Sequence, residues 1–316
     1  MGRLMKIVVF TPNDIIRQRL TDMLGSTAVV AADEAAVCAE LADADALIIT
    51  VFDYSEAIGR AATQSQTLRW VQLLSAGFDR VERHGVRQGV QVTNAGDALT
   101  PSVATHAVSL ALALQRDVPA MVRAQDQGQW RKGAGARLVT PAESTCLIIG
   151  FGSIGQEIGR LMHAFGARIV GLSRTARPSA FAETATIDRL NEFLPQADTI
   201  MVAAPLDAST RGLIGRSQLA LCKKTALIVN IARGGIIDTE ALADALEGGV
   251  IGGAGLDVTD PEPLPEGHRL WRAPNLLITP HVAAACGPLL YRRIADKACA
   301  NAERFLRGEP LQYVVM

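Results

Sequence analysis

The sequence is short of aromatic residues: eight Phe, three Trp and three Tyr make up 4% of its 316 residues. Its core must therefore rest on small and aliphatic side chains, which helix–sheet packing permits. A surplus of one charge sign is also missing. Lys and Arg number 31 against 32 Asp and Glu, a formal net charge of -1, and this balance argues against a basic nucleic-acid footprint. No Cys-x-x-Cys pair occurs. The five cysteines (Cys38, Cys146, Cys222, Cys286, Cys299) are odd in number and scattered, so reduced, buried thiols in a cytoplasmic protein are expected rather than a disulfide framework. No apolar run approaches the ~20 residues that span a bilayer, and no His, Cys or Asp cluster has metal-ligand spacing. The N-terminal run Ile7 to Phe10 has strand length and falls short of a secretory segment. Lys6 stands where a myristoylated Gly2 would need Ser or Thr. Neither a membrane nor a metal is expected, and internal repeats are not seen.

What the chain does have is alternation. Its length suggests about two domains. The runs KIVVF, AVVAA, ALIIT, WVQLL and VQVTN read as five strands before residue 95, with helical patterns such as NDIIRQRLTDML and DEAAVCAELAD between some of them. Strands apolar on both faces and joined by helical crossovers predict a parallel sheet covered on two sides. A second series follows: TCLIIG, ARIVGL, DTIMVAA, ALIVNIA, VIGGAGLD and LLITP, with helices SIGQEIGRLMHAF, IDRLNEFL and TEALADALEGG in the gaps. That is a Rossmann-type order of units. The expected fold class is α/β, with two Rossmann-like or flavodoxin-like domains and the active site in the cleft between them. Residues 1–100 with 285–316 would form one domain and 101–284 the other.

Between the two series lies TPSVATHAVSLALALQRDVPAMVRAQ, which reads as one long helix opened by a Thr-Pro pair. Its apolar surface must be covered by another domain or subunit, so a hinge and a homodimer interface are expected there. The tail helix from Gly287 to Gly308 would return to the first domain.

Gly150-Phe151-Gly152-Ser153-Ile154-Gly155 matches GxGxxG. With 28 glycines in the chain the bare pattern is weak; a preceding strand and a following helix strengthen it. The three glycines then serve a tight turn, close backbone approach to a pyrophosphate, and close helix–sheet packing. The helix N-terminus supplies N–H donors and the positive end of its dipole. The chain is therefore expected to bind a dinucleotide. The rival cluster GGVIGGAG lacks a following helix and reads as a turn and strand that approach a neighbour closely.

Binders of NAD place an acid about 20 residues past the glycines, on the ribose. Here Ser173 and Arg174 stand there, with Thr175 and Arg177 beside them. Ser does not repel a 2′-phosphate, and Arg174 can pair with it. A hydrogen bond to a charged group is worth roughly 1.5–3 kcal/mol, and each ~1.4 kcal/mol is tenfold in affinity. NADP(H) is the favoured cofactor and NAD(H) the alternative.

Three C-terminal segments, VNIARGGIID, GLDVTDPEPLP and ITPHVAAA, each join a strand to a loop with one notable ionisable group: Arg233, Glu262 and His281. Open α/β sheets place ligands at such strand ends. With the GxGxxG turn, the ARG segment, the DV-xxx-EP loop and TPH, the chain resembles the D-isomer-specific 2-hydroxyacid dehydrogenases. That family includes glyoxylate/hydroxypyruvate reductases and phosphoglycerate dehydrogenases. The likeness runs from about Leu73 to His281. It implies that Arg233 holds the substrate carboxylate and carbonyl oxygen through its forked donors. It further implies that His281 is the acid–base and that Glu262 pairs with it. Asp257 would orient the nicotinamide amide. Thr100, Pro205, Thr210 and Ala232 would flank the cofactor. LLSAGFDRV resembles the loop whose backbone N–H groups receive the carboxylate, at Ser75, Ala76 and Gly77.

The remaining histidines read as structural. His106, on the junction helix, reads as packing. Departures from the family are Thr105 in place of Glu, Glu143-Ser144-Thr145 in place of Gly-Lys-Thr, and Thr259 in place of Phe. The expected activity is NADPH-dependent reduction of a small 2-keto acid, glyoxylate or hydroxypyruvate. Few aromatics and no recognisable basic second anchor near the carboxylate loop accord with a small substrate. Alternatives are oxidation of phosphite or another D-2-hydroxy acid, or a cofactor-sensing, corepressor-like binding role.

Overall fold

The apolar runs become buried parallel strands. The computed structural model describes residues 4–130, 138–285 and 287–316; Gly2 and Cys286 lie outside the described residues. In chain order the elements begin with β1 (Ile7–Phe10), α1 (Asp14–Leu24), β2 (Ala28–Val30), α2 (Glu34–Glu40), β3 (Ala46–Ile49), α3 (Glu56–Gln64), β4 (Trp70–Leu73), α4 (Asp79–His84) and β5 (Gln91–Thr93). Next come α5 (Thr100–Gln115), α6 (Val118–Asp126), β6 (Thr145–Ile149), α7 (Ser153–Ala164), β7 (Arg168–Ser173), β8 (Ala182–Thr186), α8 (Leu190–Phe193) and β9 (Thr199–Val202). The series ends with α9 (Arg216–Leu221), β10 (Leu227–Asn230), α10 (Thr239–Glu247), β11 (Gly253–Leu256), β12 (Leu276–Ile278) and α11 (Pro288–Arg307). The chain divides into two compact units, Met1–Leu99 with Cys286–Met316, and Thr100–Ala285.

The first unit holds a five-stranded parallel sheet in the order β2-β1-β3-β4-β5, the flavodoxin-like order. β3 and β4 are buried along their whole length, which explains runs apolar on both faces. Side-chain caps start the helices: Asn13 accepts from Ile16 N, Asp33 from Ala36 N and Ser55 from Ile58 N, each worth about 1 kcal/mol. The C-terminal helix α11 packs on α1. The scarce aromatics are used with their polar ends satisfied: Trp70 is fully buried and its Nε1 donates to Thr93 Oγ1 at 2.8 Å.

The second unit carries a seven-stranded parallel sheet, β12-β11-β10-β9-β6-β7-β8. Numbered within the unit, the order is that of a doubly wound Rossmann sheet, reversing between β6 and β9, and ligands bind outside the strand ends at such a reversal. Leu147, Ile149, Val202 and Ile228 form part of the core under it. The glycine cluster 248–255 supplies β11 and its entry turn; a Cβ on Gly253 would lie 2.7 Å from Asn275 O.

Two segments differ from the sequence reading. The junction segment is two helices, because the chain turns at Asp117 (φ 51°) before α6. Pro119 disfavours helical geometry in the residue before it and fits only a helix start. β8, with the sequence AETAT, pairs in parallel with β7 and was not anticipated. It has no apolar run to announce it.

Candidate active site

The turn after β6 shows what each glycine is for. Gly150 sits at φ 97°, and a Cβ there would fall 2.3 Å from Ala204 N; one on Gly155 would fall 2.1 Å from Gly150 O. Neither position can carry a side chain. Gly152 differs: nothing lies within 4 Å of its Cβ position. It is the N-cap of α7 and makes no side-chain capping bond. The first amides of a two-turn or longer helix thus face open space, the arrangement that receives a pyrophosphate. Gly152 and Ser153 are exposed and Ile154 is half-buried. Phe151 closes the turn over β7, where Gly171 leaves room: a Cβ at Gly171 would lie 2.4 Å from the Phe151 ring.

Ser173 ends β7 and is half-buried. Its hydroxyl donates to Thr175 O at 2.9 Å. Arg174 and Arg177 are exposed and have no hydrogen-bond or ion-pair partner among the described residues. The uncommitted donors at this strand end therefore belong to the arginines, and Ser173 shapes the turn. Thr210 is buried, donates to Pro205 O at 2.7 Å and accepts from Asp207 N at 2.8 Å. These two sequence-selected residues thus brace one loop after β9. Thr100 opens α5 with a buried Oγ1 that has no partner among the described residues. An orphaned buried hydroxyl is the kind of group a bound ligand satisfies.

Arg233 follows β10. Asn230, 1% exposed, ties the loop: its Oδ1 accepts from Ala232 N at 3.0 Å and its Nδ2 donates to Arg233 O at 2.9 Å. Arg233 Nη1 donates to Ala232 O at 2.7 Å. Gly234 lets this loop lie on the backbone at Thr259, 2.0 Å from where its Cβ would be, which brings the Arg233 loop against the segment leading to Glu262.

His281 Nδ1 lies 2.5 Å from Glu262 Oε1. A carboxylate only accepts, so Nδ1 carries the proton in this pair. The residue takes φ 53°, a conformation that costs a non-glycine residue about 1–3 kcal/mol. The segment is held there by Asp257. Its backbone carbonyl accepts from His281 N at 2.8 Å, its Oδ1 from Val282 N at 2.9 Å and its Oδ2 from Ala283 N at 2.9 Å. Thr279 Oγ1 adds a fourth bond, to Asp257 Oδ1 at 2.6 Å. The Asp257 side chain is therefore largely committed to the loop that presents His281, a task the sequence reading did not give it. Asn230 was also missed, although a polar residue ending a fully apolar strand was a usable signal.

Ser75, Ala76 and Gly77 lie in the first unit, after β4. Ser75 Oγ accepts from Val51 N at 3.2 Å and donates to Gly77 O at 3.3 Å. Arg80 donates through Nη1 to Phe52 O at 2.5 Å and stands over the Phe52 ring, 6.0 Å from its centroid. Arg80, the last basic residue of the LLSAGFDRV segment, is thereby tied to the turn after β3.

Among the described residues no cluster of three or more His, Cys, Asp or Glu could hold a metal, and no helix is long and apolar enough to cross a membrane.

Residues 108–283 match the family profile described as D-isomer specific 2-hydroxyacid dehydrogenase, NAD binding domain. The chain belongs to this family. It is an oxidoreductase acting on CH–OH groups. A glyoxylate reductase from Thermococcus gammatolerans is 39% identical over 251 residues, 77% of this chain and 74% of that protein. The NADPH-dependent glyoxylate/hydroxypyruvate reductase from Sinorhizobium meliloti, solved with NADP and sulfate, aligns over 98% of each chain with a TM-score of 0.85 and 26% identity. The NAD-dependent formate dehydrogenase from Staphylococcus aureus, solved with NAD, aligns over 99% of each with a TM-score of 0.79 and 26% identity. Relatives thus carry both dinucleotides.

Proposed function

We propose that the chain reduces a small 2-keto acid of the glyoxylate or hydroxypyruvate type to the D-2-hydroxy acid, with NADPH. The observation that carries this reading is the 2.5 Å pair of His281 Nδ1 and Glu262 Oε1. It fixes the ring through Nδ1, and Nε2 is assigned the proton exchange with substrate. The arrangement is that of a general acid–base oriented by a carboxylate. Arg233 takes the substrate carboxylate and carbonyl oxygen through its planar fork. The uncapped amides at Ser153 and Ile154 take the pyrophosphate, and Arg174 takes the 2′-phosphate. When bound, the nicotinamide supplies a hydride to the carbonyl carbon. His281 Nε2 would give its proton to the carbonyl oxygen, and Arg233 would stabilise the charge on that oxygen. The names of the reductases from T. gammatolerans and S. meliloti support this substrate class.

An NADPH-oxidation assay with glyoxylate, hydroxypyruvate, pyruvate and phenylpyruvate tests the reading. Turnover of glyoxylate or hydroxypyruvate is expected, and no turnover with any of the four overturns it. We also assign the exposed Val118 and Val122 of α6 to a homodimer contact. Light scattering should then give twice the 33.5 kDa chain mass, and a monomer mass would reject that contact.

A further inference from the structure

His106 lies on α5, six residues after Thr100. Its Nε2 is 3.0 Å from Thr279 Oγ1 and 3.3 Å from Asp257 Oδ1. The Asp257 side chain is 1% exposed, and both its oxygens accept backbone N–H groups from Val282 and Ala283. Counting protons gives this chain a direction. Asp257 accepts at both oxygens, so the single hydroxyl proton of Thr279 goes to Oδ1, 2.6 Å away. Thr279 Oγ1 can then meet His106 only as an acceptor, and His106 Nε2 must be the donor.

We propose that His106 is a positioning residue for the reaction, acting through Thr279 and Asp257 on the loop that presents His281. His106 N–H holds Thr279, Thr279 holds Asp257, and Asp257 holds the main chain at 281, 282 and 283. The chain ends on the 1%-exposed Asp257 side chain, where an unmade bond costs most, and its His106 and Thr279 links are half-buried. The loop it serves keeps His281 at a positive φ, so it needs bonds that over-determine its shape. Removing the His106 donor leaves Thr279 able to turn away from Asp257 and relaxes the loop. His106 touches no reacting atom in this scheme.

The inference rests on the reductase reading for His281, so one arm of its test is independent of turnover. With 15N-histidine-labelled protein and no substrate, long-range 1H–15N spectra should show the resonance that disappears in H106Q to be protonated at Nε2 and to shift in T279V. An Nε2 without a proton, or no shift in T279V, overturns the relay whatever the substrate is. The kinetic arm compares four variants with glyoxylate and NADPH. H106L and T279V should lower kcat about 10-fold or more with KM changed less than about threefold. H106Q, which keeps a donor at the position of Nε2, and T279S should recover to within about threefold of wild type. The H106L/T279V double variant should be little worse than T279V alone, because both break one path. Wild-type kcat in H106L, H106Q as impaired as H106L at an equal melting temperature, or additive losses would each overturn the proposal.

Discussion

The Glu262 carboxylate holds the His281 ring and the 279–283 loop presents it, so substitutions there should separate chemistry from folding. His281→Ala should lose about 10²–10⁴ in kcat while circular dichroism and melting temperature stay near wild type. Arg233→Lys keeps the charge but not the fork; it should raise KM for the keto acid about 10-fold, measured by steady-state kinetics. Because the Ser173 hydroxyl is spent on Thr175 O, Arg174→Ala should cost more than Ser173→Ala in NADPH affinity, by roughly 10-fold or more. The double variant S173D/R174A should move the NADPH/NADH ratio of kcat/KM toward NADH; an unchanged ratio would refute that assignment. The thiols should be inert by contrast. Burial pushes Cys146 up to about 12 and Cys222 to about 11. A thiolate-selective reagent at pH 8 should leave both unlabelled until the chain is unfolded. At this scale Arg233, Glu262 and His281 could be singled out as candidates because each stands in a short segment whose other residues announce a strand end. Asp257 as a loop clamp and the contact of His106 with Thr279 were not legible. Their partners lie 25 and 173 residues away in the sequence, and only the folded sheet brings them together.

The strand–turn–helix formed by β6, the glycines and α7 makes a prediction of its own. Gly150→Ala and Gly155→Ala put a methyl into backbone and should destabilise the protein by several degrees in melting temperature. Gly152→Ala meets nothing within 4 Å and sits in extended backbone, so its melting temperature should hold. Its Kd for NADPH should rise about 10-fold or more, since the methyl occupies the phosphate's place; calorimetric titration checks this. Equal stability losses at Gly150 and Gly152 would contradict the division of labour. Elements with a strong apolar period were readable from sequence: α7, α10 and the buried strands all lie where their patterns put them. β8 was not, because an edge strand pairs on one side only and AETAT can stay half-exposed. Nor was the α5–α6 break, since both halves are apolar enough to read as one helix until Pro119 is weighed against the residues before it.

For the chain as a whole, two parallel sheets built from aliphatic side chains give two cores, and a bound dinucleotide adds stability by mass action. At 100 times its Kd, NADPH should stabilise the protein by about 2.7 kcal/mol. Thermal scans with NADPH and NADH at equal concentration therefore report the cofactor preference without any substrate, and a larger shift with NADH would reverse the assignment. The two-sheet architecture was legible from the number and spacing of the apolar runs alone. The location of the sheet reversal was not, because strand order depends on crossovers rather than on any residue.

The packing of Phe151 on Gly171 constrains how this enzyme can be re-engineered. The variable position of the glycine turn and a mid-strand glycine of β7 fill one volume between them, so they can change only as a pair. A strand grafted from an NAD-dependent relative with any side chain at 171 would strike the Phe151 ring and fail for steric reasons, whatever acid it carried at 173. G171A alone should lower the melting temperature, and F151L should relieve part of that loss. A cofactor transplant into this chain has to bring its own residue 151.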